Sequence, residues 1–402
     1  MIKVVSDSDR IPVIVAATRT PIGKFLGSLG PLQAPQLGAV AISEAVRRAG
    51  IDGGLVDEVI MGHVIQGGTG QAPARQAAIG GGVPDTVPAM TVNKVCGSGL
   101  KSVMLAAQAI RAGDATCIVA GGMESMSNGP HYLYGMRGGL KFGDGKLVDG
   151  VQRDGLWCSF GECTMGGHAE YTARTAQISR EEQDRFALES HQKAVAAIEA
   201  CRFSAEIVPV EVPGRKGAVT KVDTDECPRA DTSLEALGKL PPAFEKDGTV
   251  TAGNAPGLND GASALVVTSQ ALAESEGLEI LGRITGYATG GGAPRDLFFA
   301  PIEAVRNLME KTGVDIDAYD LIEANEAFAV QALADGKELG WDWSRVNVNG
   351  GAVALGHPLG ASGARILTTL LYAMRDRGAN TGLATLCLGG GNAVALSVER
   401  NA

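Results

Sequence analysis

Glu44-Ala45-Val46-Arg47-Arg48-Ala49-Gly50-Ile51-Asp52 has a counterpart far down the chain, where Glu303-Ala304-Val305-Arg306 runs on to Gly313-Val314-Asp315. The residues after each copy also correspond. Val56-Asp57-Glu58-Val59-Ile60 follows the first, and Tyr319-Asp320-Leu321-Ile322-Glu323 follows the second. In both, an apolar pattern of helical period stops at a glycine and gives way to a short apolar run, as a helix followed by a buried strand requires. Four-residue echoes arise by chance, but a shared order of elements does not, so the chain reads as an internally duplicated α/β protein.

Working outward, the first half predicts strands over Val13 to Ala17, Val56 to Met61, Met90 to Val92 and Cys117 to Gly122. Helices over Gln36 to Ala49, Pro73 to Ile79 and Lys101 to Arg111 lie between them. The second half predicts a strand over Gly282 to Ala288, the helix from Glu303, a helix over Gly363 to Arg377 and a strand over Ala384 to Gly390. Such alternation implies parallel sheet covered by helices. The stretch Glu124 to Thr251 breaks the plan. It opens with a polar, glycine-rich segment (Ser125 to Asp154) and holds one long amphipathic helix, Ser179 to Ala200, with a Ser179/Glu182 capping box. It reads as an insertion, after which Ala262 to Thr268 returns as a strand to the first half. The domains expected are 1–123 plus 252–275, an inserted loop domain 124–251, and 276–402.

The chain has 402 residues, 45% hydrophobic, with 56 glycines and only 4% aromatics. That suits tight packing around loops that meet a ligand with their backbone. A net charge of −10 argues against nucleic acid or an anionic membrane as the main partner. No apolar run approaches the roughly 18 residues that span a bilayer. Met1 to Arg10 lacks the apolar core of an export signal, and seven cysteines, an odd number, read as reduced thiols. A cytoplasmic protein is expected.

Three glycine-rich loops carry chemistry. Asn93-Lys94-Val95-Cys96-Gly97-Ser98-Gly99-Leu100 puts a thiol just ahead of a helix, whose positive N-terminal end lowers a thiol pKa and makes a nucleophile. Gly356-His357-Pro358-Leu359-Gly360-Ala361-Ser362-Gly363 supplies a base, and Cys387-Leu388-Gly389-Gly390-Gly391-Asn392 a second thiol with free backbone N–H groups. Two thiols, a base and such donors are the parts for acyl transfer through a thioester. Cys158, Cys163 and His168 have a spacing open to zinc, but structural sites take four ligands and no matching pair is evident, so no metal is assigned.

These loops, with Gly121-Gly122-Met123-Glu124-Ser125-Met126-Ser127 and Asn325-Glu326-Ala327-Phe328-Ala329, resemble the thiolases, and among them the biosynthetic acetoacetyl-CoA enzymes. The resemblance runs from about Pro12 to Val398. It implies a duplicated core layered α-β-α-β-α with an inserted loop domain, and condensation of two acetyl-CoA to acetoacetyl-CoA through an acetyl-Cys96 intermediate. It also implies roles. Cys96 is the nucleophile, His357 takes its proton and Cys387 removes the α-proton. Asn325 holds a water that makes one oxyanion hole with His357, and the N–H groups of Cys96 and Gly389 make the other. Arg229 falls beside the nucleotide of CoA, Met165 and the Ala252-Gly253 backbone beside its pantetheine, and Phe328 among the CoA-binding residues. CoA serves as substrate, with no permanently bound cofactor, and the resemblance implies a homotetramer built as a dimer of dimers through the Ser125 to Asp154 arm. Thr164 and Pro256 stand where the family carries His and Ser, and Leu297-Phe298-Phe299 where close relatives carry smaller residues near the acyl pocket. A degradative thiolase for longer chains and a non-catalytic acyl-CoA or lipid-binding relative are the alternatives.

Overall fold

The computed structural model describes residues 10–400. The reading of Met1 to Arg10 as lacking an export signal lies, but for Arg10, outside that range. Among the described residues, one ten-stranded sheet runs through both halves. Its strands are β1 (Pro12–Arg19), β2 (Glu58–Gly62), β3 (Ala89–Val92), β4 (Cys117–Ser125), β5 (Asn259–Ser269), β6 (Gly282–Gly291), β7 (Leu321–Ala324), β8 (Thr381–Leu388) and β9 (Asn392–Glu399), with Gly23–Lys24 joined to β5. The order is β7-β8-β9-β6-β1-β5-β4-β2-β3. The main helices are α1 (Ala34–Ala49), α2 (Pro73–Gly80), α3 (Ser98–Ala112), α4 (Met165–Ala176), α5 (Arg180–Glu199), α6 (Ala300–Thr312), α7 (Ala329–Leu339) and α8 (Leu359–Arg377).

The sheet is mixed, which corrects the parallel expectation. Only the outer pairs β3/β2, β2/β4 and β7/β8 are parallel, and the centre is antiparallel. The reason is local. Three residues, Gly389-Gly390-Gly391, join β8 to β9, far too few for a crossover, so the chain must double back. Gly390 (φ 84°) and Gly391 (φ 82°) take the left-handed conformations that such a turn needs. The halves meet where Val13 and Ile14 of β1 pair with Arg283 and Gly282 of β6.

Five layers result. α1 and α2 cover the outer face of the first half through Leu37, Ala41, Ile42, Ala74 and Ala77, and α6 covers the second through Ala304, Val305 and Leu308. Between the two halves lie α3 and α8, whose apolar faces form the largest core with Ile60, Leu265, Leu386 and Leu396. Their N-terminal turns touch. A methyl on Gly99 would lie 2.7 Å from the Ala364 amide nitrogen, and one on Gly363 would collide with that of Leu100. Residues 126–251 contribute no strand to this sheet. Arg19 of β1 anchors them through buried ion pairs to Glu206 (2.5 Å) and Asp225 (2.7 Å). The long helix α5 has the expected cap, with the Ser179 N–H donating to Glu182 Oε2 at 2.7 Å. α4, α7 and β9 are elements the pattern reading did not draw.

Candidate active site

Cys96 stands just before α3, whose first residue is Ser98. The loop holding it is self-bonded: the Val95 N–H donates to Asn93 Oδ1 (3.0 Å), the Lys94 N–H to Ser98 Oγ (2.8 Å), and that hydroxyl to the Val95 carbonyl (2.6 Å). Val95 has φ 48°, a left-handed conformation costly for a β-branched residue. The strain is stored beside the sulfur.

His357 precedes α8 as Cys96 precedes α3. Its backbone N–H donates to Asn259 Oδ1 at 2.8 Å, and three residues on, the Gly360 N–H donates to the buried Glu124 carboxylate at 2.9 Å. Glu124, next to last in β4, also accepts from the Val64 and Ile65 N–H groups. It therefore ties the base loop to the first half. The ring is oriented by Ser362 Oγ, 2.6 Å from Nδ1, while the Ser362 hydroxyl donates to the Pro358 carbonyl at 2.9 Å. With its proton spent on that carbonyl, Ser362 accepts from Nδ1–H, so the lone pair lies on Nε2. That atom is buried and has no protein partner.

Cys387, 1% exposed, is the next-to-last residue of β8, and Gly389 opens the glycine turn. Cys96, His357, Cys387 and Gly389 all line one cavity of about 380 Å³. The Cys96 and Gly389 backbone N–H groups both act to favour the thiolate at Cys96. The first loop thus supplies a thiol, the second a base, the third a thiol and a donor, all at one point.

The electrostatics reverse one expectation. Burial outweighs the helix end and the two N–H groups, and pushes the Cys96 thiol up to about 12 rather than down. Burial, then the nearby Cys96, also raises Cys387 well above the ordinary thiol range. Burial, helped by the positive Arg365, lowers His357 to about 3. At neutral pH the resting site holds two thiols and a neutral imidazole, with no stored charge.

Asn325 follows β7, its N–H donating to the Thr385 carbonyl at 3.0 Å. It is fully buried, and neither its amide oxygen nor its amide nitrogen has a protein partner. It is not itself in the cavity wall, which Ala327 and Phe328, two and three residues on, do line. Neighbouring Glu326 pins this loop to α5, accepting from Ser190 Oγ, Asn347 Nδ2 and the Val353 N–H.

Of the residues expected beside CoA, Met165 and Phe328 line the cavity. Phe328 packs edge-on against Phe298 (centroids 5.3 Å apart) and Phe244 (6.1 Å). Ala252 is exposed and Gly253 is buried against Leu237 and Leu240; neither is in the cavity wall, where Ala255 to Leu258 stand instead. Arg229 is exposed outside the cavity, with its backbone N–H donating to His191 Nδ1 at 3.2 Å. Thr164 and Pro256 are both in the wall, Thr164 capping α4. Leu297 and Phe298 face the cavity, but Phe299 turns to a separate surface depression beside Thr175. Sequence reasoning missed Ser362, Asn259 and Glu124. Ser362 lies in the stretch that contains His357, five residues on, within one helical turn and a half of the ring; that spacing is the signal that could have found it. Among the described residues no group of three or more His, Cys, Asp or Glu could hold a metal ion, and no helix is long and apolar enough to cross a membrane.

A duplicated five-layer core with two thiols and a histidine in one cleft defines a class, and the chain belongs to the thiolase family: the N-terminal domain of that family matches residues 12–271 and the C-terminal domain residues 278–400. Within it, the chain is 57% identical over 389 residues to an acetyl-CoA acetyltransferase of Pseudomonas aeruginosa, covering 97% of this chain and 99% of the relative. It is 55% identical over 389 residues to that of Escherichia coli K12, with 96% and 98% covered. The crystal structure of the Bacillus anthracis acetyl-CoA acetyltransferase superposes with a TM-score of 0.96 at 43% identity, covering 98% of this chain and 100% of that one.

Proposed function

We propose that this chain condenses two acetyl-CoA molecules to acetoacetyl-CoA and CoA, reversibly, through an acetyl-Cys96 intermediate. The observation that carries the reading is the meeting of Cys96, His357, Cys387 and Gly389 on one cavity wall. Naming of full-length relatives as acetyl-CoA acetyltransferases supports the substrate over longer 3-ketoacyl-CoA.

The resting protonation states suggest how the steps balance. Cys96 attacks the thioester carbonyl as its proton passes to the bare His357 Nε2. The leaving CoA thiolate takes the proton of Cys387, which leaves a Cys387 thiolate opposite a protonated His357. A thiolate whose buried pKa is high is a strong base, as removal of a weakly acidic α-proton demands. The resulting carbanion attacks the acetyl carbonyl on Cys96, whose oxygen the Cys96 and Gly389 N–H groups receive. His357 then returns its proton to the departing Cys96. Asn325 holds a water that, with His357, receives the enolate oxygen of the second acetyl-CoA; its two unpartnered amide atoms suit that task.

Met165 and Phe328 flank the pantetheine arm, and Arg229 meets the nucleotide end outside the cavity, where its exposure leaves it free to do so. The segment after β4 forms a hairpin, His131–Leu133 with Leu147–Asp149, that exposes Leu133, Met136, Leu140 and Phe142. Apolar groups so displayed favour contact with a second copy and thus the tetramer. Cytoplasmic action on soluble acyl-CoA completes the reading. Steady-state rates with acetoacetyl-CoA and with 3-ketohexanoyl-CoA test it: faster cleavage of the longer substrate overturns the assignment to acetyl-CoA, and no turnover of either overturns catalysis.

A further inference from the structure

Cys158 and Cys163 are register partners across a two-stranded hairpin whose turn is Ser159 to Glu162. Directly opposed antiparallel residues have Cα atoms roughly 4.5–5.5 Å apart, inside the range of about 4.4–6.8 Å that a disulfide spans. Cys158 is buried and Cys163 half-buried, and both are free thiols. A third group reaches the same turn. A methyl placed on Gly161 would lie 3.1 Å from His168 Nε2 and 3.4 Å from Cys163 Sγ, while the Gly161 N–H donates to Cys158 Sγ at 3.3 Å. His168 is 4% exposed, and its Nε2 has no protein partner. Burial lowers the pKa of its ring, so it stands neutral with a lone pair toward the turn. The acyl-transfer steps use none of these three residues. The hairpin nevertheless joins two pieces of the cavity wall, Gly155-Leu156 before it and Met165-Gly166 after it, and its own last residue, Thr164, is in the wall too.

We propose that Cys158 and Cys163 are a second, non-catalytic dithiol that small disulfides oxidise to an intrachain bridge, with His168 as the base that starts the exchange. His168 Nε2 takes the Cys163 proton, and the thiolate attacks one sulfur of a low-molecular-weight disulfide. A mixed disulfide forms on Cys163 and one small thiolate leaves, taking up the proton. Cys158, its own proton passing to the second small thiolate, then attacks Cys163 and expels it. Two protein thiols lose two electrons, the small disulfide gains them, and two small thiols are released. Closing the bridge stiffens the hairpin between the two wall segments, so the effect falls on acyl-CoA binding.

The test poises the protein at a series of oxidised-to-reduced glutathione ratios with acetyl-CoA present to occupy Cys96, followed by iodoacetamide trapping and peptide mapping. The expected product is a Cys158–Cys163 linked peptide, two hydrogens lighter, that forms while exposed Cys201 carries only glutathione or the alkyl group. The Cys158→Ser variant should stop with glutathione on Cys163, and His168→Gln should slow closure severalfold without changing the end point. Oxidised wild type should show a raised KM for acetyl-CoA at nearly constant kcat, a change absent from a Cys158→Ser/Cys163→Ser protein. Alkylation of both thiols at every ratio, or linkage of either to another cysteine, overturns the site; an unchanged KM overturns its coupling to the cavity. The mapping reads no turnover, so it stands or falls apart from the acetyl-transfer reading.

Discussion

Ser362 sets the tautomer of His357. The hydroxyl donates to the Pro358 carbonyl at 2.9 Å and so can only accept from the ring nitrogen 2.6 Å away, which leaves Nε2 bare toward the cavity. A base presented this way costs the protein no charge.

Ser362→Ala should therefore strand a buried N–H and loosen the ring. Loss of such a bond is worth about 1–3 kcal/mol, or roughly 5-fold to 150-fold in kcat. The KM for acetyl-CoA should move little. Steady-state kinetics check it; a fall in binding alone would show that Ser362 shapes the loop and not the base.

Acid should act on the fold through His357. Its pKa is about 3 in the folded chain against about 6.5 unfolded. The unfolded state thus takes up a proton that the folded state refuses, and stability falls as pH drops from about 6.5 toward 3. Between pH 7.5 and 5 this group alone costs about 2 kcal/mol. His357→Gln should lose correspondingly less stability than wild type in urea titrations over that interval. The other depressed histidines, His168 and His191, are common to both proteins and cancel.

The two sulfurs should separate by half-reaction. Cys96→Ala should form no acyl-enzyme and lose condensation entirely. Cys387→Ser should still accept some label from acetyl-CoA on Cys96, while α-proton exchange falls by about two to four orders of magnitude. Labelled acetyl-CoA and deuterium exchange read both; exchange at the wild-type rate in Cys387→Ser would assign the base elsewhere.

Asn325 offers a dissociation of rate from stability. A buried amide without protein partners contributes nothing to the fold by its polarity, so Asn325→Leu should melt near the wild-type temperature. Condensation should nevertheless drop by about 10²–10³-fold, the usual cost of one oxyanion donor. Calorimetry beside the rate assay decides; a large drop in melting temperature would make the residue structural.

Much of this site was readable in the chain because its chemistry is concentrated in loops. Cys96, His357 and Cys387 each sit among glycines, which serve close approach and, at Gly356, Gly390 and Gly391, a left-handed backbone, and all three face one cavity. The duplication was readable through Gly50 and Gly313, which end α1 and α6 alike. What could not be read was long-range. That β8 and β9 run antiparallel depends on a turn short enough to reverse the chain, which looked only like a donor-rich loop. The helix end before Cys96 suggested an acidic thiol, but how deeply the sulfur is covered is decided by Leu388, Leu359 and the insertion, residues remote in sequence. Asn259 and Glu124 act through backbone amides of the His357 loop, and such contacts leave no periodic trace.

The contact of Gly99 with Ala364 and of Gly363 with Leu100 has a consequence for how the protein can be divided. Cys96, the proposed nucleophile, heads one of these helices and His357, the proposed base, the other, so each half taken alone is a scaffold for an unfinished reaction. A chain severed in Glu276 to Leu281 would give two silent fragments, and turnover would return only as fast as the helices found each other again. Catalysis here is a gauge of docking, and the tightest pressure on rate falls on small residues that never meet a substrate.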